Sequence, residues 1–295
     1  MTNPSNHALV LDIGGSHVTA ALVDLEKRQV DQASLVRRSV AQEAAAEILI
    51  GQWAGAALDA MTQTSTPSVT HVGIAMPGPF EYVTGISRLT HKFASLNGWN
   101  VGKALSQRWE GTHLADTPVR FANDAALWAL GEWWAGAARG TQRMIGVTLG
   151  TGLGSGFIDQ GNIVNSGDQV PPSGEIWWVP YLNGITEDQV SGRALVRGYQ
   201  ALKGDELTPA QIANLASTGD PHAQSVFAGF GDHLAAVLQP WVQRFNPNCL
   251  VVGGNIARAW ALFRVSLEAG LPGLSCRVTE QYEISGLLGG AALRE

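Results

Sequence analysis

Cysteine is nearly absent: Cys249 and Cys276 are the only two in 295 residues. Two thiols cannot build a disulfide framework or a four-thiolate zinc site, so secreted disulfide scaffolds are excluded and a reducing compartment is indicated. Lysine is scarce as well. Lys27, Lys92, Lys103 and Lys203 are the whole set, and 19 basic against 25 acidic residues leave a net charge of −6. Without a basic face the chain is not expected to bind nucleic acid, or to hold a long polyanion by charge alone. Long apolar runs are missing too, since Glu132 interrupts even the Trp- and Ala-rich stretch from Ala122 to Ala138. No membrane span is therefore expected. The stretch from Met1 to His7 lacks a basic segment followed by an apolar one, so the expectation is a soluble, cytoplasmic protein. The seven histidines (His7, His17, His71, His91, His113, His222, His233) are dispersed, with no close pair at zinc-ligand spacing.

What the chain does have is apolar material (45%) and 35 glycines, enough for a large core. At roughly 100–200 residues per domain the length suggests about two domains. Ala8 to Ile13, the turn Gly14-Gly15-Ser16 and Val18 to Val23 predict a β-hairpin. An Ala-rich helix is predicted from about Ala41 to Met61, ended by the Thr/Ser/Pro cluster Thr62–Ser68. Strands are predicted at Val72–Met76 and Val119–Ala122, and Asn123-Asp124 opens a helix running through Trp134. The pattern then restarts: Met144 to Leu149, Gly150-Thr151-Gly152 and Leu153 to Ile158 predict a second hairpin. Asp12 and Thr148 head the matching segments, 136 residues apart (148 − 12), close to half the chain. Two related α/β halves are expected, although chance glycine-rich hairpins would look alike. Beyond Ser191 the chain reads as mostly helical to Asn248. A buried strand Cys249–Gly254, a helix from about Ile256 and a last short helix at Leu287–Leu293 follow.

Three glycine turns follow apolar strands: Gly14-Gly15-Ser16, Gly150-Thr151-Gly152 and Gly253-Gly254-Asn255. Glycine lets backbone N–H groups approach an anion closely, so such turns cradle phosphates; each alone serves equally well as plain hairpin punctuation. Rival nucleotide motifs fail. The one Gly-Lys pair, Gly102-Lys103, is followed by Ala104 and has Asn97 where a P-loop needs glycine; a dinucleotide fingerprint would need glycine at Ser155. No Gly-x-Ser-x-Gly nucleophile elbow occurs.

In nearly its whole length the sequence resembles the ROK sugar kinases of the actin/hexokinase-like ATPase superfamily. Leu11-Asp12-Ile13-Gly14-Gly15-Ser16 is similar to their first phosphate motif, Val147 to Gly156 to the second, and Val251 to Ile256 to the adenosine motif. Gly73 to Pro79 and Leu96-Asn97-Gly98-Trp99 resemble the sugar-side segments. Asn123 to Ala126 with Ala129 to Glu132 resembles the catalytic segment, and Ser173-Gly174-Glu175 and Glu187 to Leu195 the later sugar contacts. The resemblance implies two ribonuclease-H-like α/β domains with a cleft between them: a small one over 1–122 plus about 287–295 and a larger one over 123–286. It also implies an ATP-dependent hexose kinase, with Mg-ATP and sugar meeting in that cleft. Asp124 would be the general base, although an Asn-Asp pair by itself fits a plain helix cap equally. Asp12 would hold magnesium through water. Gly14, Gly15 and Ser16 would face the phosphates from one side, Thr148, Gly150, Thr151 and Gly152 from the other, with Gly253, Gly254 and Asn255 against the adenosine. Gly78, Asn97, Asn123, Asp124, Glu175 and Glu187 would line the sugar. The family also suggests a homodimer, and the short stretch before Asp12 leads us to expect no helix-turn-helix of the kind its repressors carry.

The match departs from the family in three places. Trp177 and Trp178 stand where members have glycine and a sugar- and zinc-contacting histidine. The cysteine cluster is missing from Val179–Thr186, so no structural zinc is expected, and Trp177, Trp178 and Tyr181 are expected to hold this loop by packing, or else to stack on a sugar face. His17 replaces the usual lysine or asparagine after the first turn. Glucose is the default hexose; mannose, fructose, allose or an N-acetylhexosamine are open, polyphosphate is a lesser donor variant, and a non-catalytic sugar-binding or regulatory relative is the alternative of a different class.

Overall fold

The computed structural model describes residues 6–64 and 68–294, so positions 65–67 of the Thr62–Ser68 cluster lie outside the described residues. The chain divides into two units, Met1–Ala135 with Glu283–Glu295, and Gly136–Tyr282.

The first unit is built on β1 (His7–Ile13) and β2 (His17–Asp24), an antiparallel hairpin closed by the Gly14 N–H donating to the His17 carbonyl at 2.9 Å. β3 (Gln29–Val30) and β4 (Val36–Ser39) pair with β2. After α1 (Ala46–Thr62), β5 (Val72–Met76) lies parallel to β1. The short ribbon β6 (Phe80–Glu81) and β7 (Ile86–Ser87) and helix α2 (Val101–Arg108) lead to β8 (Val119–Asn123), parallel to β5, and then α3 (Asp124–Ala135). Successive residues of β1 feed two cores, as the two-residue period of a strand requires. Leu9, Leu11 and Ile13 pack with Leu49, Trp53 and Ala57 of α1, whereas Ala8 and Val10 pack with Leu287, Leu288 and Ala291. That is why β1 reads as one apolar run rather than an alternating one. α1 begins five residues later than the sequence suggests, because Ala45 is extended (φ −59°, ψ 150°) and Ala41–Ala44 form a turn.

The second unit repeats the plan. β9 (Arg143–Leu149) and β10 (Leu153–Asp159) form an antiparallel hairpin, with β11 (Asn162–Ile163) beyond β10. A small ribbon, β12 (Pro180–Tyr181) and β13 (Gly184–Ile185), precedes α4 (Thr186–Gln189), α5 (Gly192–Lys203), α6 (Pro209–Ser217) and α7 (Pro221–Phe245). β14 (Cys249–Gly253) lies parallel to β9, and β15 (Ser275–Val278), reached through α8 (Trp260–Gly270), lies parallel to β14. The sheet orders β3-β2-β1-β5-β8 and β11-β10-β9-β14-β15 are the same, and the two hairpins begin 136 residues apart (143 − 7). Asn255–Ala259 is a 3-10 turn, so α8 begins at Trp260, later than expected.

The chain then returns to the first unit as α9 (Ser285–Ala292). α3 belongs with α9, not with the second unit, so the division falls after Ala135 and Tyr282 where residues 122 and 286 were expected. The reason is close packing: a Cβ on Gly131 would lie 1.9 Å from the Ser285 carbonyl oxygen, and one on Gly289 1.7 Å from that of Leu127. The Ser285 hydroxyl also donates to Oε1 of Glu132, which is fully buried, at 2.5 Å. Among the described residues no helix is long and apolar enough to cross a membrane.

Candidate active site

In the first unit the parallel strands β1, β5 and β8 end on one edge, which is where open α/β sheets place ligands. The register sets Asp12 beside Ala75, and Met76 beside Asn123. Asp12 is thus on the same edge as Asn123-Asp124, and the Gly14-Gly15-Ser16 turn follows it directly. Gly78 and Asn97 stand in exposed loops, the first after β5, the second closing a short turn over Ala94–Leu96.

The Asn-Asp pair divides two tasks. Asn123 Oδ1 accepts from the N–H groups of Ala125 (2.9 Å) and Ala126 (3.1 Å), so Asn123 is the cap of α3. That commits the amide oxygen to the helix. Asp124, relieved of capping, is the first residue of the helix and keeps an exposed face. Desolvation raises its pKa above the ordinary carboxylate range, opposed by the Ala125 N–H, the Lys92 charge and its own backbone N–H. Burial pushes Asp12 up to about 6, helped by the like charge of Asp124 and opposed by Arg37. No described residue hydrogen-bonds or ion-pairs with the Asp12 carboxylate, and no cluster of three or more His, Cys, Asp or Glu side chains fit to hold a metal occurs among the described residues. An otherwise unpartnered, desolvated carboxylate suits magnesium, which keeps most of its water and takes one or two carboxylates. The Ser16 hydroxyl shares a hydrogen bond of 2.8 Å with His17 Nδ1.

Lys92 is the residue that sequence reasoning missed here. Its stem runs along the first turn: a Cβ on Gly15 would lie 3.5 Å from its Cε and 3.7 Å from its Nζ. No spacing in the sequence links positions 15, 92 and 124; the fold does.

In the second unit, β9 and β14 end together, with Thr148 beside Gly253, so the second and third glycine turns share one edge. Gly254 has φ +80°, and its Cβ would meet the Leu149 backbone at 2.4 Å, so only glycine fits. The Gly150–Gly152 turn is closed by Gly150 N–H to the Gly152 carbonyl (3.0 Å) and held by the Gly192 N–H on the Gly150 carbonyl (2.8 Å). Thr151 and Asn255 are exposed. Glu187 is engaged with this turn: its Oε2 accepts from the Leu153 N–H at 3.0 Å and its Oε1 pairs with Arg193. Its two oxygens therefore brace the second turn. Glu175 is fixed from behind by Ser155, whose hydroxyl donates to the Gly174 carbonyl (2.7 Å) and accepts from the Ile176 N–H (3.1 Å). The Trp177 Nε1–H donates to Glu175 Oε2 at 3.0 Å.

Trp177 and Trp178 are 39% and 38% exposed, so they do not pack as a plug for this loop, as one alternative supposed. The loop is held instead by Tyr181, whose hydroxyl shares a 2.9 Å hydrogen bond with His233 Nδ1 of α7, and by the Thr186 N–H on the Val179 carbonyl. Ser155 and His233 carried no signal of these roles, because each acts across a contact distant in sequence; Arg193 stands only six residues from Glu187.

The chain is similar to several known proteins over most of its length. The chain is 26% identical over 283 residues to a glucokinase of Thermotoga maritima, covering 87% of this chain and 84% of that one. It is 26% identical over 257 residues to the DNA-binding transcriptional repressor Mlc of Escherichia coli, covering 78% of this chain and 62% of the repressor. The crystal structure of a ROK hexokinase from Thermus thermophilus superposes with a TM-score of 0.81 at 23% identity, covering 97% of both chains, and shares the fold of two actin/hexokinase-like domains. The family model for the ROK family matches residues 8–277, and with the repeated sheet plan and the three glycine turns in place, the chain belongs to the ROK family.

Proposed function

We propose that the chain is an ATP-dependent hexose kinase acting on the 6-hydroxyl, with glucose the default substrate. One observation carries the reading: Asn123 caps α3 and leaves Asp124 as an exposed carboxylate beside Asp12 and the first glycine turn. A pure binder has no use for a carboxylate whose pKa desolvation raises, whereas a general base gains by it. The similarity to a glucokinase supports the same class.

Phosphoryl transfer asks the protein mainly to position groups and balance charge. Asp124 accepts the proton of the attacking hydroxyl. Magnesium held by Asp12 would neutralise charge on the phosphates. Backbone N–H groups of Gly14–Ser16 and of Gly150–Gly152 would bind phosphate oxygens, and Gly253–Asn255 would lie against the adenosine. Glu175, held by Ser155, would accept from a sugar hydroxyl.

Incubation with Mg-ATP and a panel of glucose, mannose, fructose, allose and N-acetylhexosamines tests this by ADP release, with polyphosphate as a second donor. At least one sugar is expected to give turnover that Asp124→Asn abolishes. The similarity to the repressor Mlc favours a second reading, a regulatory sugar binder. Sugar binding with no ADP release from any pair would establish that reading and overturn the first.

A further inference from the structure

The chain has four lysines, and one of them lies on the candidate site. Lys92 sits in the loop between β7 and the Ala94–Leu96 turn, and that loop is pinned. Leu89 is 2% exposed and Phe93 fully buried, with the Phe93 ring edge-on to Trp53 at 5.3 Å. Between these anchors the Lys92 side chain lies over Gly15, with Cδ, Cε and Nζ all 3.5–3.7 Å from where a Cβ would be. The absence of a side chain at residue 15 is what makes room for it. Two other cations of this unit are engaged: Lys27 with Asp24 at 3.0 Å, and Arg37 with Glu283 at 3.7 Å. Lys92 makes no ion pair with a carboxylate among the described residues, and its charge reaches Asp124.

Two carboxylates, Asp12 and Asp124, lie close enough for their charges to interact, and Asp12 stands just before the turn at which a triphosphate would bind on the kinase reading. A phosphoryl group moving there meets repulsion from both unless a fixed positive charge offsets it. Resting on the kinase reading above, we propose that Lys92 is a catalytic residue whose ammonium binds the γ-phosphoryl oxygens during transfer. The sugar hydroxyl oxygen forms a bond to the γ-phosphorus, the bond from that phosphorus to the β-phosphate bridging oxygen breaks, and its electron pair leaves on ADP. The hydroxyl proton passes to Asp124, and Lys92 keeps its protons throughout. A flexible point charge suits this task, since it follows the phosphoryl group as its charge spreads.

The test is Lys92→Met, with Lys92→Arg as partial rescue and Lys103→Met, an exposed lysine of α2, as the control for losing one charge. Expected for Lys92→Met is a fall in kcat of two to three orders of magnitude, sugar Kd within about twofold of wild type, and Lys103→Met unchanged. A non-hydrolysable ATP analogue is expected to lose at least fivefold in affinity while ADP binding stays the same, which locates the effect on the γ-phosphate. A fall in kcat of less than tenfold overturns the proposal. Should wild type prove inactive with every sugar, the kinase reading fails and the analogue-against-ADP comparison alone decides for Lys92: no selective loss of the analogue, or no nucleotide binding at all, overturns it.

Discussion

Asn123 and Asp124 are adjacent, yet it is Asn123 whose side chain caps α3. Replacing Asn123 with Ala is expected to cost about 1 kcal/mol of stability through the lost cap, read by urea denaturation. Asp124→Asn leaves the helix intact and is expected to lower kcat by several orders of magnitude with sugar affinity spared, read by ADP release and calorimetry. Because Asp124 must be ionised to take a proton and its pKa lies above the ordinary value of 3.8, kcat/KM is expected to fall with decreasing pH through a limb above that value. Asp12 gives a prediction of opposite character. Its folded-state pKa of about 6 against 3.8 means that the folded protein binds this proton more tightly. Stability without metal should rise as pH falls from about 6 towards 3.8, and above pH 6 the ionised form is a cost. Asp12→Asn is therefore expected to raise the melting temperature at pH 8 without magnesium by a few degrees, while abolishing activity. Both aspartates were legible in the sequence because each sits next to its own strand or helix signal. Lys92 and Ser155 were not, since each acts on a turn or loop that only the fold brings against it.

At the scale of elements, the hairpins and parallel strands were legible because apolar runs end at glycine turns. Helix starts were less so: α1 and α8 begin late, each after a turn whose residues have ordinary helical propensity. The α3–α9 contact left no periodic trace, because its signal is the absence of side chains at Gly131 and Gly289. Gly289→Ala forces a methyl onto the Leu127 carbonyl, and a loss of about 2–3 kcal/mol or more is expected by urea denaturation. The Ser155 clamp gives a subtler prediction. Ser155→Ala removes the hydroxyl that holds both peptides flanking Glu175, so sugar KM is expected to rise several-fold with little change in kcat.

For the molecule as a whole, the duplication was visible as the 136-residue offset, but the division was not, because α3 reads as the opening of whatever follows it. The second unit is one continuous stretch, Gly136–Tyr282, whereas the first is assembled from both ends of the chain. Residues 136–282 expressed alone are expected to fold with a cooperative thermal transition by circular dichroism. Residues 1–135 alone are not, since Val10 and Ala8 would lose the apolar cover of Leu287, Leu288 and Ala291. Adding a peptide of residues 283–295 is expected to restore order. On the ribosome this arrangement inverts the usual order of completion: the unit begun first closes only after the second has been made, and the helix that carries Asp124 waits for residues 285–292 to emerge before it has anything to lean on.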